Sequence, residues 1–175
     1  GLLAFAQTDS MLHAWLVTKD KVEWQQVERS AEELSDRVAH LRAALDVSAD
    51  PPANKASKLC ALPVGIPGME ARAFDRCMAE SLFHMLLGQF DLSGLDELIV
   101  VPDGPLEQLP FSLLVTGTDP DGAPHWLIED LAISTLPTTS SLRALRKEGV
   151  SREEIVDRLP YLGIAPVTFG DQTAA

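Results

Sequence analysis

Three apolar stretches separated by turn chemistry open the chain. Residues 2–6 are apolar, Thr8, Asp9 and Ser10 supply a turn, and residues 11–17 are rich in strand formers. Lys19, Asp20 and Lys21 turn the chain again before residues 22–27, where apolar and polar positions alternate. The pattern predicts a three-stranded meander over the first 28 residues. His13 then shares a face with Trp15, because residues two apart on a strand point the same way. A histidine in mid-strand reads as packing or surface rather than as catalysis.

The period changes after Ser30. Leu34, Val38, Leu41 and Leu45 recur at helical spacing, with Ser30 as N-cap and Glu33 three residues on. Glu33, Arg37 and His40 fall on the opposite face, which makes His40 a surface histidine. Pro51, Pro52, Pro63 and Pro67 predict a loop over 47–68. A second helix is expected over 70–90, with an apolar stripe of Phe74, Cys77, Met78, Leu82, Met85 and Leu86. Arg72, Arg76, Glu80 and His84 form its polar stripe. Cys77 faces the core on this register and should be an inert thiol, less accessible than Cys60 in the loop beside Lys58.

Leu98-Ile99-Val100-Val101 is a short continuous apolar run between helical patterns, the signature of a buried parallel strand. Pro102-Asp103-Gly104-Pro105 stops it, with Gly104 free to take positive φ and Asp103 able to bond its own backbone two residues on. Pro110 is placed to open a short helix over 111–115 from its first position. Residues 116–124 read as a surface loop and 127–136 as a strand. Residues 137–141 open a helix with Leu142 and Leu145, and with Arg143, Arg146 and Lys147 toward its end. Hydroxyls at such an N-terminus can hold an anion, but N-capping is their simpler use. An acidic-basic segment over 151–158 precedes one more strand at 161–164, and residues 170–175 should fray. Strands alternating with helices after residue 30 give an α/β class with a mainly parallel sheet.

Composition narrows this further. Of the 175 residues, 46% are hydrophobic and 23% charged, enough apolar material for a core and too much for a disordered chain. There is no run long and apolar enough to cross a membrane, and no leader pattern is visible. The chain opens on Gly1 inside an apolar run, which suggests a piece of something longer. Its formal charge of −12 opposes nucleic-acid binding. Residues 91–130 hold nine acids (Asp91, Asp96, Glu97, Asp103, Glu107, Asp119, Asp121, Glu129 and Asp130) and no Lys or Arg. Solvated loops explain that count, and an acidic surface for a basic partner is the sharper alternative. Two cysteines make no secreted framework, so a reducing cytoplasm is the default.

Candidate chemistry is sparse. His13, His40, His84 and His125 are far apart, and no metal-ligand spacing occurs among them. No phosphate-binding glycine loop or nucleophile elbow is present, so no cofactor and no metal is expected. Asp103, at the carboxyl end of a buried strand, occupies the position that α/β architecture favours for a ligand.

Two phrases together carry a family resemblance. One is Leu98 to Leu106 with its Pro102-Asp103-Gly104-Pro105 turn, followed by Leu109-Pro110-Phe111. The other is Leu127-Ile128-Glu129-Asp130, Ala132-Ile133-Ser134, Leu136-Pro137 and Ser140-Ser141-Leu142-Arg143-Ala144-Leu145. In this order they resemble the CHAT domain, a caspase-like cysteine peptidase relative often attached to tetratricopeptide repeats. The resemblance extends over about residues 2–167 and implies a three-layer, caspase-like α/β fold. It also implies a His–Cys dyad: a His before a Gly after one strand, and a Cys behind a small-residue pair after the next. His13 is followed by Ala14, His40 by Leu41, His84 by Met85 and His125 by Trp126, and neither cysteine fits. No catalytic residue can therefore be carried onto this chain.

The expectation is a single unit forming the non-catalytic amino-terminal half of such a peptidase, with residues 160–175 beginning the catalytic half. Its partners would be that carboxyl-terminal half and the peptide or protein substrate of the parent, with no nucleic acid and no membrane. An exposed edge strand at 161–164 would invite self-association. The alternatives are a CHAT-like interaction module without peptidase activity, and a doubly wound ligand-binding domain with Asp103 at its mouth.

Overall fold

The structure is a computed structural model and describes residues 1–45, 60–64, 72–120 and 122–147. The expected strand at 161–164 and the segment at 151–158 lie outside the described residues. The meander forms as its apolar stretches and intervening turns predict: β1 (Leu2–Gln7), β2 (Met11–Val17) and β3 (Val22–Glu28). Its turns are tied by hydroxyls, with Thr8 Oγ1 accepting from the Met11 amide at 3.1 Å and Thr18 Oγ1 from Lys21 at 3.2 Å. The helix α1 (Ala31–Ala43) starts at Ser30, whose Oγ accepts from the Glu33 amide at 3.1 Å. The reciprocal half of a capping box is replaced, because the Glu33 carboxylate pairs with Arg29 and Arg37.

Two corrections follow in the next segment. The proline-rich stretch is not all loop: β4 (Ala61–Val64) lies in it and pairs antiparallel with β5 (Arg72–Asp75). The second helix, α2 (Arg76–Leu86), therefore begins later than residue 70, and Phe74 sits on a strand. The cause is Asp75, whose Oδ1 accepts from the Met78 amide at 3.0 Å and sets the N-cap there. Ala79, Leu82 and Leu86 are the buried face of α2, while Cys77 is exposed.

The strand β6 (Glu97–Val101) is buried as expected and ends at Pro102. Two short 3-10 helices follow, Gly104–Gln108 and Phe111–Leu113, with Pro110 at the N-cap of the second rather than at its first position. Residues 116–124 are a hairpin rather than a plain loop, made by β7 (Val115–Thr118) and β8 (Pro124–Trp126). The stretch expected as one strand over 127–136 divides into the helical turn α3 (Leu127–Asp130) and β9 (Ala132–Thr135). The Glu129 carboxylate accepts from the Trp126 amide at 2.6 Å, which closes that turn. The last described element is α4 (Thr139–Lys147).

The central sheet has five strands in the order β3-β2-β1-β6-β9. The meander pairs are antiparallel, and the β1–β6 and β6–β9 pairs are parallel. Leu3, Phe5, Leu12, Ala14, Leu16, Leu98 and Val100 lie on one face and join α1 and α2 in one apolar cluster. Gln25 on that same face donates to the Leu86 carbonyl at 2.5 Å and so fastens the end of α2 to β3. On the other face Leu2, Val17 and Ile99 share a cleft of about 370 Å³ with Leu142 of α4. Helices thus lie on both sides of a mixed sheet, the three-layer α/β arrangement.

Candidate functional site

Open α/β sheets bind ligands beyond the carboxyl ends of their parallel strands. Here that edge gathers the ends of β1, β6 and β9. Its side chains are occupied in holding backbone. The Asp103 carboxylate does not close on its own turn; Oδ2 accepts from the Gln7 amide at 2.7 Å and caps the end of β1. Gly104 takes φ +56° beside it, the left-handed region that glycine enters without strain. Pro102 is buried and Pro105 sits in the first turn of the 3-10 helix. Leu109 and Phe111 are buried, and Phe111 stacks on Phe5 with ring centroids 5.8 Å apart. Pro110 is partly buried between them.

Across the edge, Thr138 Oγ1 accepts from the Ser141 amide at 3.2 Å and lies 2.9 and 3.0 Å from the hydroxyls of Ser140 and Ser141. The Thr138 hydroxyl, just before α4, therefore serves as a cap with the Ser140 and Ser141 hydroxyls bonded to it, and Leu142 of α4 faces the sheet across the cleft. Glu129 and Asp130 are exposed and turn to His125 rather than to this edge.

His125 has three acidic neighbours. Its Nε2 lies 2.9 Å from Asp130 Oδ1, and its Nδ1 lies 3.3 Å from Asp119 and 3.5 Å from Glu129. The hydrogen bond to Asp130, helped by the other two carboxylates, raises its pKa above the ordinary 6.5. A neighbouring cleft of about 340 Å³ is lined by Phe83, Leu92, Leu127, Asp130 and Leu131. Leu92 and Asp130 come before β6 and β9, so this cleft opens at the amino ends of the strands, away from the edge that α/β folds use. The acid-only stretch is consequently not one surface: Asp103 points inward, Asp91 meets Lys21 at 3.4 Å, and three others surround His125.

The cysteines depart most from expectation. Cys60 and Cys77 form a disulfide across a Cα separation of 5.3 Å. Neither is a free thiol, and Cys77 is the more exposed of the two. The helical stripe pointed Cys77 into the core only because it was counted from Phe74, a strand residue. The reduced state expected of a cytoplasmic chain is not the state seen. His40 is not a plain surface residue either. It is half-buried, and its Nε2 lies 3.2 Å from Asp75 Oδ2. Asp75 was missed in the sequence, although an Asp at the start of an apolar-periodic run is an N-cap signal.

Two requirements of thiol catalysis are a thiolate and a base within hydrogen-bond reach of it. Here the sulfurs are bonded to each other, and a carboxylate stands next to them where a base would need to be. His125 faces acids, and the His13 ring stacks against Trp15 and Trp24, with centroids 5.9 and 6.3 Å away. Among the described residues no helix is long and apolar enough to cross a membrane.

The model of one family, the CHAT domain, matches residues 72–174, more than half the chain. The match contains both phrases that carried the resemblance, and the meander and α1 precede it. No curated protein and no solved structure matches the chain.

Proposed function

Because the chain belongs to the CHAT domain family, a caspase-like and peptidase-related one, we propose that these residues are the non-catalytic amino-terminal part of a cysteine peptidase. They support a His–Cys half supplied by sequence that follows them. The observation that carries this reading is the state of the two cysteines: each is consumed by the other, and Asp75 rather than a histidine adjoins them. The carboxyl edge of β1, β6 and β9 supports it as well, because Asp103 and Thr138 there brace backbone. A peptidase built on this sheet would attack a peptide carbonyl with a thiolate, a histidine taking its proton. Its oxyanion would need donors at the same edge.

The test is hydrolysis of a mixed peptide library by the 175-residue chain and by a chain continued through the next two strand–loop units of the parent reading frame. Both are assayed after reduction, with and without iodoacetamide. The shorter chain should be inert and the longer one should cleave in a thiol-dependent way. Cleavage by the 175-residue chain would overturn the reading, since Cys60 or Cys77 would then be the nucleophile. An inert longer chain that lacks a His–Gly and a Cys after its strands would favour an interaction module.

A further inference from the structure

We propose that Cys60, Cys77 and Asp75 form a redox-gated binding site for a thiophilic divalent cation of the Zn²⁺ class, available when the disulfide is reduced. The two sulfurs and a carboxylate oxygen of Asp75 all lie within 4.8 Å of one another. Ligands about 2.0–2.3 Å from a tetrahedral Zn²⁺ sit roughly 3.5–3.8 Å apart, so three such atoms already span a coordination face. The sulfurs must separate by roughly 1.7 Å from bonding distance to reach that spacing. Side-chain rotation on backbones 5.3 Å apart supplies it.

Bonds other than the sulfur–sulfur bond also hold the three residues in place. Ala61 is in register with Asp75 in the β4–β5 ladder, and the Arg76 amide donates to the Cys60 carbonyl at 3.0 Å. Asp75 is held from both sides, by the Met78 amide on Oδ1 and by His40 on Oδ2. A ring N–H that orients a liganding group is a common supporting device of metal sites. His40 is thus a positioning residue, fixing the carboxylate from α1. Cys77 is exposed, and Cys60 and Asp75 are partly exposed, so a cation and a reductant both have access.

Electrostatics favour metal over free thiols. Cys77 lies in the first turn of α2, where helix amides favour a thiolate. Asp75 opposes thiolate formation by like charge. A divalent cation offsets two of the three negative charges and so relieves most of that conflict, and two sulfur donors select Zn²⁺ over Mg²⁺ or Ca²⁺. The chemistry balances with a dithiol reductant: it gives two electrons and two protons to the Cys60–Cys77 bond and becomes a disulfide itself. The cation then replaces both thiol protons, which pass to solvent, while Asp75 binds as the carboxylate. The oxidised form has no thiolate to offer. The site shares Cys60 and Cys77 with the peptidase reading, but its test reads metal binding and not hydrolysis, so the failure of one is distinguishable from the failure of the other.

The test uses the full chain with Co²⁺ as probe, oxidised or reduced by a dithiol that is then removed anaerobically. The reduced chain should bind a single Co²⁺ with a sulfur-to-cobalt charge-transfer band and tetrahedral visible bands, releasing protons, and Zn²⁺ should displace it. The oxidised chain should show neither band. Cys60→Ser and Cys77→Ser should each abolish the charge-transfer spectrum of a tetrahedral two-sulfur site. Asp75→Asn keeps a helix-capping residue, so the helix should persist while affinity falls. His40→Gln should cost about ten- to hundred-fold in affinity. A reduced chain without these bands, equal binding by the oxidised chain, or unchanged affinity in Asp75→Asn would each overturn the proposal.

Discussion

Replacing Asp103 by Ala removes the acceptor on the last amide of β1. The bond runs from the Gln7 amide to Asp103 Oδ2 over 2.7 Å and is partly buried. A hydrogen bond to an ionised group contributes about 1.5–3 kcal/mol, and its loss leaves the donor desolvated. Gln7 is only half-buried, so water recovers part of that, and the lower half of the range, about 1.5–2 kcal/mol, is expected. In a domain of this size each kcal/mol moves Tm by about 2–4 °C, giving a drop of roughly 3–8 °C. Asp103→Asn keeps an oxygen at the same place and should lose about half as much. Urea unfolding with a circular-dichroism signal measures the change, and hydrogen exchange at the Gln7 amide locates it. Faster exchange confined to the end of β1 is the expected signature. A variant within about 0.5 kcal/mol of the parent, with Gln7 protection unchanged, would refute the capping role. If that variant also lost binding of Mg²⁺ or a nucleotide, Asp103 would be a ligand residue instead.

Phe111→Ala should destabilise the chain by about 3–5 kcal/mol in urea titrations, because a nearly fully buried ring stacked on Phe5 leaves a cavity. Ser30→Ala should cost about 1 kcal/mol in the same assay through the lost N-cap of α1, and Ser30→Asp should restore it. His125 should titrate above 6.5 by NMR, and Asp130→Asn should lower its midpoint. The sign of its stability contribution follows from a folded pKa raised above the unfolded one. The contribution is fully present below about pH 6.5 and is lost as pH rises through the folded value.

What was legible in the sequence is what neighbouring residues decide among themselves. The apolar stretches and turn residues over 2–28, the Ser30 cap with its helical period, and the apolar run stopped by Pro102 are local patterns, and each became the expected element. The misreadings fall where a distant partner decides. Phe74, Cys77 and Met78 have helical spacing, yet β4 claims Phe74 across the hairpin, and the helix starts only at Arg76. Residues 115–126 carry an Asp-Pro-Asp-Gly turn that signals a hairpin, but the strands flanking it are only four and three residues long. Leu127-Ile128 looks like a strand until the Glu129 carboxylate closes back on the Trp126 amide. The disulfide was out of reach for the same reason, since it needs the β4–β5 register before the two cysteines meet.

Asp75 and Asp103 show how position within the fold divides the work of two similar residues. Each is an acid next to the end of a strand, and each spends a carboxylate oxygen on a backbone amide. Asp103 faces the end of a neighbouring strand inside the main sheet, and its neighbours Pro102 and Phe111 are buried. Its charge is therefore used to finish an edge. Asp75 ends a two-stranded hairpin at the rim, where its second oxygen meets His40 and two sulfurs stand beside it. Among the described residues, sulfur donors, a carboxylate and solvent access come together there. The sheet's carboxyl edge thus spends Asp103 and Thr138 on backbone amides, while the two sulfurs, Asp75 and His40 collect at the hairpin beside the α2 cap.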